Sequence, residues 1–267
     1  MKKHYMLFTL LFTLLPFLNS YAEENKAITI PQLSFSSPTS GYRLEIPETI
    51  LGDRNGGETD RSGKSFTISA WINMDQYTNN SGSKGNVIMG HGPRVHMNYN
   101  GSLVLATTET GVLKIISGAS NKVTSVLETS VDLDTWTYLT LVYDNSDFSV
   151  SGPLVATKNN TQQLELFGDD PCIFFVGGAG FSGFCDEFQF FDRALNSNDV
   201  KQAYSNPQNI SGLTVWYDFN TIEEGSSFTN KVTESDQVNT KATFYNLTGG
   251  QTNSDGGYIS ITNYTEA

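Results

Sequence analysis

Positive charge is what this chain has least of. It carries 16 lysines and arginines against 28 aspartates and glutamates, a net charge of −12 over 267 residues. Phosphate contacts need a basic surface, which argues against nucleic acid and anionic membrane as partners. Histidine is scarce too: beyond the amino-terminal segment there are only His91 and His96. Their spacing could suit a metal on a helix, but Pro93 and the alternating pattern make the region extended, which argues against a zinc site. Two cysteines, Cys172 and Cys185, allow a single cross-link. No Ser/His/Asp arrangement, phosphate-binding glycine loop or dinucleotide fingerprint is visible. Helical periodicity is almost missing; only NSNDVKQAY at 196–204 reads as a helix, capped by Asn196. Beyond residue 18 no run is apolar enough to cross a membrane.

One apolar run does exist. Lys2 and Lys3 precede MLFTLLFTLLPFL at 6–18, and Ser20-Tyr21-Ala22 places small residues where a signal peptidase reads. The run is too short for a permanent span, so residues 1–22 read as a cleaved signal peptide. The mature chain is then expected outside the cytoplasm: secreted, periplasmic or on the cell surface. Glu23 follows the cut, so no cysteine stands there for lipid attachment. The roughly 245 residues that remain suffice for one large domain with a full core.

Period-two alternation fills most of that length. Hydrophobic residues make up 38% and aromatic residues 12%, which favours a globular all-β protein over disorder. In SFTISAWINM at 65–74, Phe66, Ile68, Ala70, Ile72 and Met74 form an apolar face, and Thr67, Ser69, Trp71 and Asn73 the opposite one. WTYLTLVYD at 136–144 reads as the clearest central strand. Further strands are expected at 33–35, 42–46, 86–89, 94–99, 103–107, 112–116, 123–127, near 148, 164–167 and 172–176. Strands so spaced, without alternating helices, predict a two-sheet antiparallel sandwich.

The stretch GFCDEFQFFDRAL at 183–195 says most. On a regular strand Phe184, Asp186, Phe188 and Phe190 share one side, and Cys185, Glu187, Gln189 and Phe191 the other. If 172–177 and 184–190 form a hairpin around GAGFSG, a symmetrical register sets Cys172 opposite Cys185. In an oxidising compartment that spacing suits a disulfide.

This stretch resembles the closing strand of the laminin-G-like jelly rolls of the concanavalin A-like lectin/glucanase superfamily, whose usual form is roughly G-x-I-D-E-V-R-I-Y-N-R-A-L. Three more pieces resemble that family in its own order: LSF at 33–35 with YRLEIP at 42–47, FTISAWI at 66–72, and WTYLTLVYD at 136–144. Together they cover about residues 30–204. Ser36-Ser37 stand where the family has Asp-Gly, and Gln189 where its last strand usually has arginine. The resemblance implies a jelly-roll domain over 23–210. LTVWYDFN near 213–220 and KATFYN at 241–246 resemble strands that usually precede such a module; here they follow it. Residues 211–267 are therefore expected to be a strand extension packing on the sandwich.

Three kinds of site are then weighed. Glycoside hydrolysis needs two carboxylates flanking the scissile bond, but Glu187 and Asp192 are five positions apart and point to opposite faces of a regular strand. That leaves Asp186 to tie down a neighbouring chain or a metal, with Glu187 in solvent. Calcium takes several oxygen ligands from loops; DRNGGETD at 53–60 gathers Asp53, Asn55, Glu58 and Asp60 in one glycine-rich turn. The resemblance adds Asp186, since related sandwiches hold a structural calcium near the start of the last strand. A sugar offers hydroxyls and an apolar ring face, which suits planar donors beside aromatics. Arg94, His96 and Asn98 share one side of 94–99, and Trp71, Asn73 and Tyr77 supply stacking and amide partners. For Trp71 and Trp136 the resemblance implies packing. The expectation is a non-catalytic module that binds glycans or glycoproteins. An adhesive protein–protein module and, last, a glycoside hydrolase stay open.

Overall fold

The computed structural model describes residues 26–30, 42–47, 65–78, 85–93, 103–117, 123–144, 147–151, 156–160, 172–178, 180–219, 222–223, 227–228, 230–232, 243–246, 251–252 and 261–263. Its first strands are β1 (Lys26–Ile30), β2 (Tyr42–Pro47), β3 (Phe66–Met74), β4 (Asn86–Pro93), β5 (Leu103–Thr107) and β6 (Val112–Ser117). Next come β7 (Val123–Ser130), β8 (Thr137–Asp144), β9 (Asp147–Ser151), β10 (Ala156–Asn160), β11 (Cys172–Gly177) and β12 (Gly183–Phe191). After a short helix, α1 (Ser197–Ala203), follow β13 (Leu213–Tyr217), β14 (Ile222–Glu223), β15 (Ser227–Phe228), β16 (Thr243–Asn246), β17 (Gln251–Thr252) and β18 (Ile261–Asn263).

Two antiparallel sheets make the sandwich. The first runs β10-β9-β8-β3-β12-β1-β18, with β13 also beside β12; the second runs β17-β16-β2-β11-β4-β5-β6-β7. The alternation of β3 decides its faces. Phe66, Ile68, Ala70, Ile72 and Met74 are fully buried between the sheets, with Met89, Leu105, Ile115 and Val176 of the second sheet in the same cluster. An aromatic bridge crosses the gap: Phe190 of β12 and Phe66 of β3 meet Phe174 of β11 at centroid distances of 4.5 and 4.8 Å. His91 of β4 lies 4.9 Å from the Phe174 ring and is fully buried there. β4 runs on through Pro93, past the residue 89 at which the alternation had ended it.

Helix α1 covers the outer face of the first sheet. Asn196 Oδ1 accepts the Asn198 and Asp199 N–H groups at 2.8 and 3.0 Å, and the Asp199 carboxylate accepts the Asn196 N–H in return. This capping box satisfies donors that a free helix start leaves open. Val200 and Ala203 of the helix then bury against Val142 and Phe191 of the sheet.

Two expectations about the closing strand are corrected. First, β11 and β12 do not form a hairpin. β11 pairs with β2 and β4, placing Cys172 opposite Pro93, while β12 pairs with β3, β1 and β13, placing Cys185 opposite Ile72 and Ile28. The connection passes from one sheet to the other: Gly177 and Gly178 take φ of 86° and 144°, and Phe181 buries its ring in the core while its N–H bonds Gly178 O. Such positive φ is open to glycine at little cost. The proposed Cys172–Cys185 disulfide loses its basis, and Cys185 is a free, fully buried thiol. Burial, reinforced by the Asp186 carboxylate, pushes that thiol well up from its ordinary pKa. Alkylation without reductant is therefore expected to spare Cys185 in the native protein and to modify it on unfolding, as read by mass spectrometry. Modification that requires prior reduction would restore the disulfide.

Second, β12 does not alternate regularly. Its register against β3 shifts between Asp186 and Gln189, and Glu187 takes φ 51°. The extra residue slips the faces, so Cys185, Phe188 and Phe190 point into the core together while Gln189 and Phe191 point outward.

Candidate functional site

The outer face of the first sheet holds all three tryptophans of the chain, each half-buried. Trp71 projects from β3 between residues that face the core. Its Cα partners are Tyr138 of β8 and Asp186 of β12. One step along, Asn73 pairs with Phe184, whose ring lies 6.4 Å from Trp136 just before β8. On the far side of β12, Trp216 of β13 stands opposite Gln189. Val215 and Tyr217 on either side of Trp216 are in the core, so period two sends the indole outward.

Tyr204, at the end of α1, closes one flank. It is 47% exposed, and its ring lies 5.2 Å from Trp71 and 5.5 Å from Tyr138, while Trp71 and Tyr138 are 5.6 Å apart. The buried Tyr138 hydroxyl donates to Gln189 Oε1 at 2.9 Å. Burial pushes this phenol well above its ordinary pKa and the Glu187 carboxylate adds to the shift, so it stays protonated and neutral.

The polar groups cluster beside these rings. Glu187 Oε2 accepts the Trp216 indole N–H, and Asp186 Oδ1 accepts the Glu187 backbone N–H at 2.7 Å. A non-glycine residue held in the left-handed region costs about 1–3 kcal/mol and tends to mark functional positions. Asn73 Oδ1 is buried with no hydrogen-bond partner among the described residues. An unmet acceptor of this kind costs about 1–3 kcal/mol, which a donating ligand would recover.

Of the residues singled out for sugar binding, the structure brings Trp71 and Asn73 together on this face. Tyr77 is elsewhere engaged: its hydroxyl donates to the Val131 carbonyl and its ring packs on the core. Arg94, His96 and Asn98 lie outside the described residues, as do Asp53, Asn55 and Asp60. Asp186 is only 2% exposed and is tied to the bulge of its own strand. Among the described residues, no group of three His, Cys, Asp or Glu is placed to hold a metal ion. Phe184, Glu187 and Trp216 join the face without having been singled out for it, and Trp136 is half-buried on it. The outward parity of Trp216 was available from the alternation of LTVWY; the bulge that turns Glu187 was not.

Gly183 fixes how closely β12 approaches this face. A Cβ there would lie 2.0 Å from the Asn73 carbonyl oxygen, at φ +143°. Gly183→Ala is expected to destabilise the protein by about 2–3 kcal/mol, measured by urea unfolding. An unchanged midpoint would mean that β3 and β12 do not pair this tightly.

A family model described as concanavalin A-like lectin/glucanases superfamily (Laminin_G_3) matches residues 54–201, more than half of the chain. Among solved structures, a candidate carbohydrate binding protein from Bacteroides ovatus is similar at 16% identity and a TM-score of 0.55. The alignment covers 90% of this chain and 60% of that one, so the chain spans somewhat over half of that protein's length. A heptameric SAP-like pentraxin from Limulus polyphemus aligns at 14% identity and a TM-score of 0.43, over 68% of this chain and 83% of that one. Domain 4 of AbnA, a GH43 extracellular arabinanase from Geobacillus stearothermophilus in complex with arabinotriose, aligns at 18% identity and a TM-score of 0.44, over 67% and 87%. No curated protein sequence matches the chain. At its identity the Bacteroides ovatus structure speaks to the fold alone, and the family match, the two-sheet jelly-roll sandwich and the four motifs in order agree: the chain belongs to the concanavalin A-like lectin/glucanases superfamily.

Proposed function

We propose that this is an exported, non-catalytic glycan-binding module whose ligand lies across the outer face of the first sheet. The observation that carries the reading is the gathering of all three tryptophans, half-buried, on one face of one sheet. Tryptophan left partly open in a cluster, with polar groups interleaved, fits a ring-stacking surface. The unmet Asn73 oxygen and the Glu187 carboxylate supply acceptors for sugar hydroxyls. The description of the Bacteroides ovatus protein of the same fold accords with this reading. Export rests on the signal-like residues 1–22. No helix among the described residues is long and apolar enough to cross a membrane.

The reading is non-catalytic because both acidic residues on the face serve the bulge. Asp186 bonds the Glu187 backbone and Glu187 bonds Trp216. A glycan array probed with the full mature chain, with and without calcium, is the direct test. Binding to a defined set of glycans without their cleavage is expected. Absence of any glycan binding, with capture of a protein partner, would replace the reading with adhesion.

A further inference from the structure

We infer that the glycan site is a walled corner, which takes a single soluble glycan chain and excludes packed polysaccharide surfaces. A sugar ring lies on Trp71 with its edge against Tyr204. This deepens the glycan-binding reading and rests on it.

The outward residues of the first sheet divide into a covered row and an open one. Alternation turns Thr67 and Ser69 of β3 away from the core, with Thr140 of β8 and Gln189 of β12 beside Ser69. They are buried nonetheless. Helix α1 and the turn before it lie over this row: Thr67 Oγ1 accepts the Leu195 N–H at 3.1 Å, and Gln189 Nε2 donates to the Ala203 carbonyl at 3.5 Å. Further along β3, Trp71 and Asn73 are half-buried, and Asp75 past the strand end is exposed. The face is thus covered at one end of β3 and open at the other. A helix with its side chains is about 10–12 Å across, so α1 makes a step along the covered edge.

Tyr204 stands where the step meets the open row. Among the described residues it is the one aromatic side chain that stays exposed. It is held from two sides, its ring meeting Trp71 at 5.2 Å and 51° and Tyr138 at 5.5 Å and 86°. The Asn196 capping box and the burial of Val200 and Ala203 fix the helix that carries it. An exposed ring already ordered in this way loses little further freedom when a ligand arrives. Trp71 and Tyr204 are in contact and inclined, so no sugar fits between them; one stacked on the indole has the phenol ring along its edge. A packed polysaccharide offers a plane of parallel chains, and the step holds such a plane off the indole. A single chain lying along the step reaches both rings.

The test titrates the full mature chain calorimetrically with each soluble oligosaccharide that binds on the array, and mixes it with microcrystalline cellulose and with crystalline chitin. Binding in solution is expected, with no depletion of the protein by either solid. Tyr204→Ala is expected to weaken the binding about tenfold or more, and Tyr204→Phe to stay within about threefold of the native affinity. Tyr204→Leu keeps bulk against Trp71 and Tyr138 but removes the ring, so it guards against loss of folding in the alanine variant. The same weakening is expected of it, whereas a side chain that only packs would be replaced by leucine without loss. Depletion by either solid, or an affinity unchanged in the folded leucine variant, overturns the inference and leaves the glycan-binding reading standing. Absence of all glycan binding, in solution and on the solids, removes both.

Discussion

Trp136→Ala is expected to weaken glycan binding about thirtyfold or more while moving the melting temperature by only a few degrees. A tryptophan at the centre of a binding surface is worth about 2 kcal/mol or more, and each 1.4 kcal/mol is tenfold in affinity. Trp136 precedes β8 rather than lying inside it, and it sits half-buried with its ring 6.4 Å from Phe184. Its loss therefore removes stacking surface without opening the core. Trp71 is a less clean probe, because its ring also packs on Tyr138 and Tyr204. Calorimetric titration with an array-positive glycan gives the affinity, and an unchanged value for the folded variant would take Trp136 out of the site.

The largest loss of stability is expected from Phe190→Ala. Truncating a buried phenylalanine costs about 3–5 kcal/mol through lost burial and the cavity left behind. Phe190 belongs at the upper end because its ring ties the two sheets: it is fully buried, 4.5 Å from Phe174 of the facing sheet and 6.3 Å from Phe66 beside it. Phe66 in turn stacks on Tyr143 at 5.3 Å, so a gap at 190 loosens a continuous run of rings. For a chain of this size the melting temperature is expected to fall on the order of 10 °C. A fall of only a degree or two would mean that the sheets do not close over this residue.

Much of this fold was legible in the sequence, and for a local reason. The faces of β3 follow from FTISAWINM, because the side-chain period of a strand is two and one face is buried. The helix after the closing strand follows from Asn196 and Asp199, the two residues that cap it. The failures are non-local or one residue wide. GGAGFSG reads equally well as a hairpin turn and as a passage between sheets, and only the pairing of β11 with β2 and β4 decides it. The bulge at Asp186–Glu187 shifts the register by one, enough to turn Glu187 from an expected solvated residue into a partner of Trp216. The face itself is assembled from β3, β8, β12 and β13, so its tryptophans at 71, 136 and 216 come together only through strand pairing.

Because every tryptophan of the chain lies on the proposed face, intrinsic fluorescence reports on it alone. Saturation with an array-positive glycan is expected to shift the emission to the blue and to reduce acrylamide quenching, since a stacked sugar excludes water and quencher from half-buried indoles. A glycan that binds by calorimetry yet leaves both emission and quenching unchanged would place the ligand elsewhere on the molecule and contradict the account.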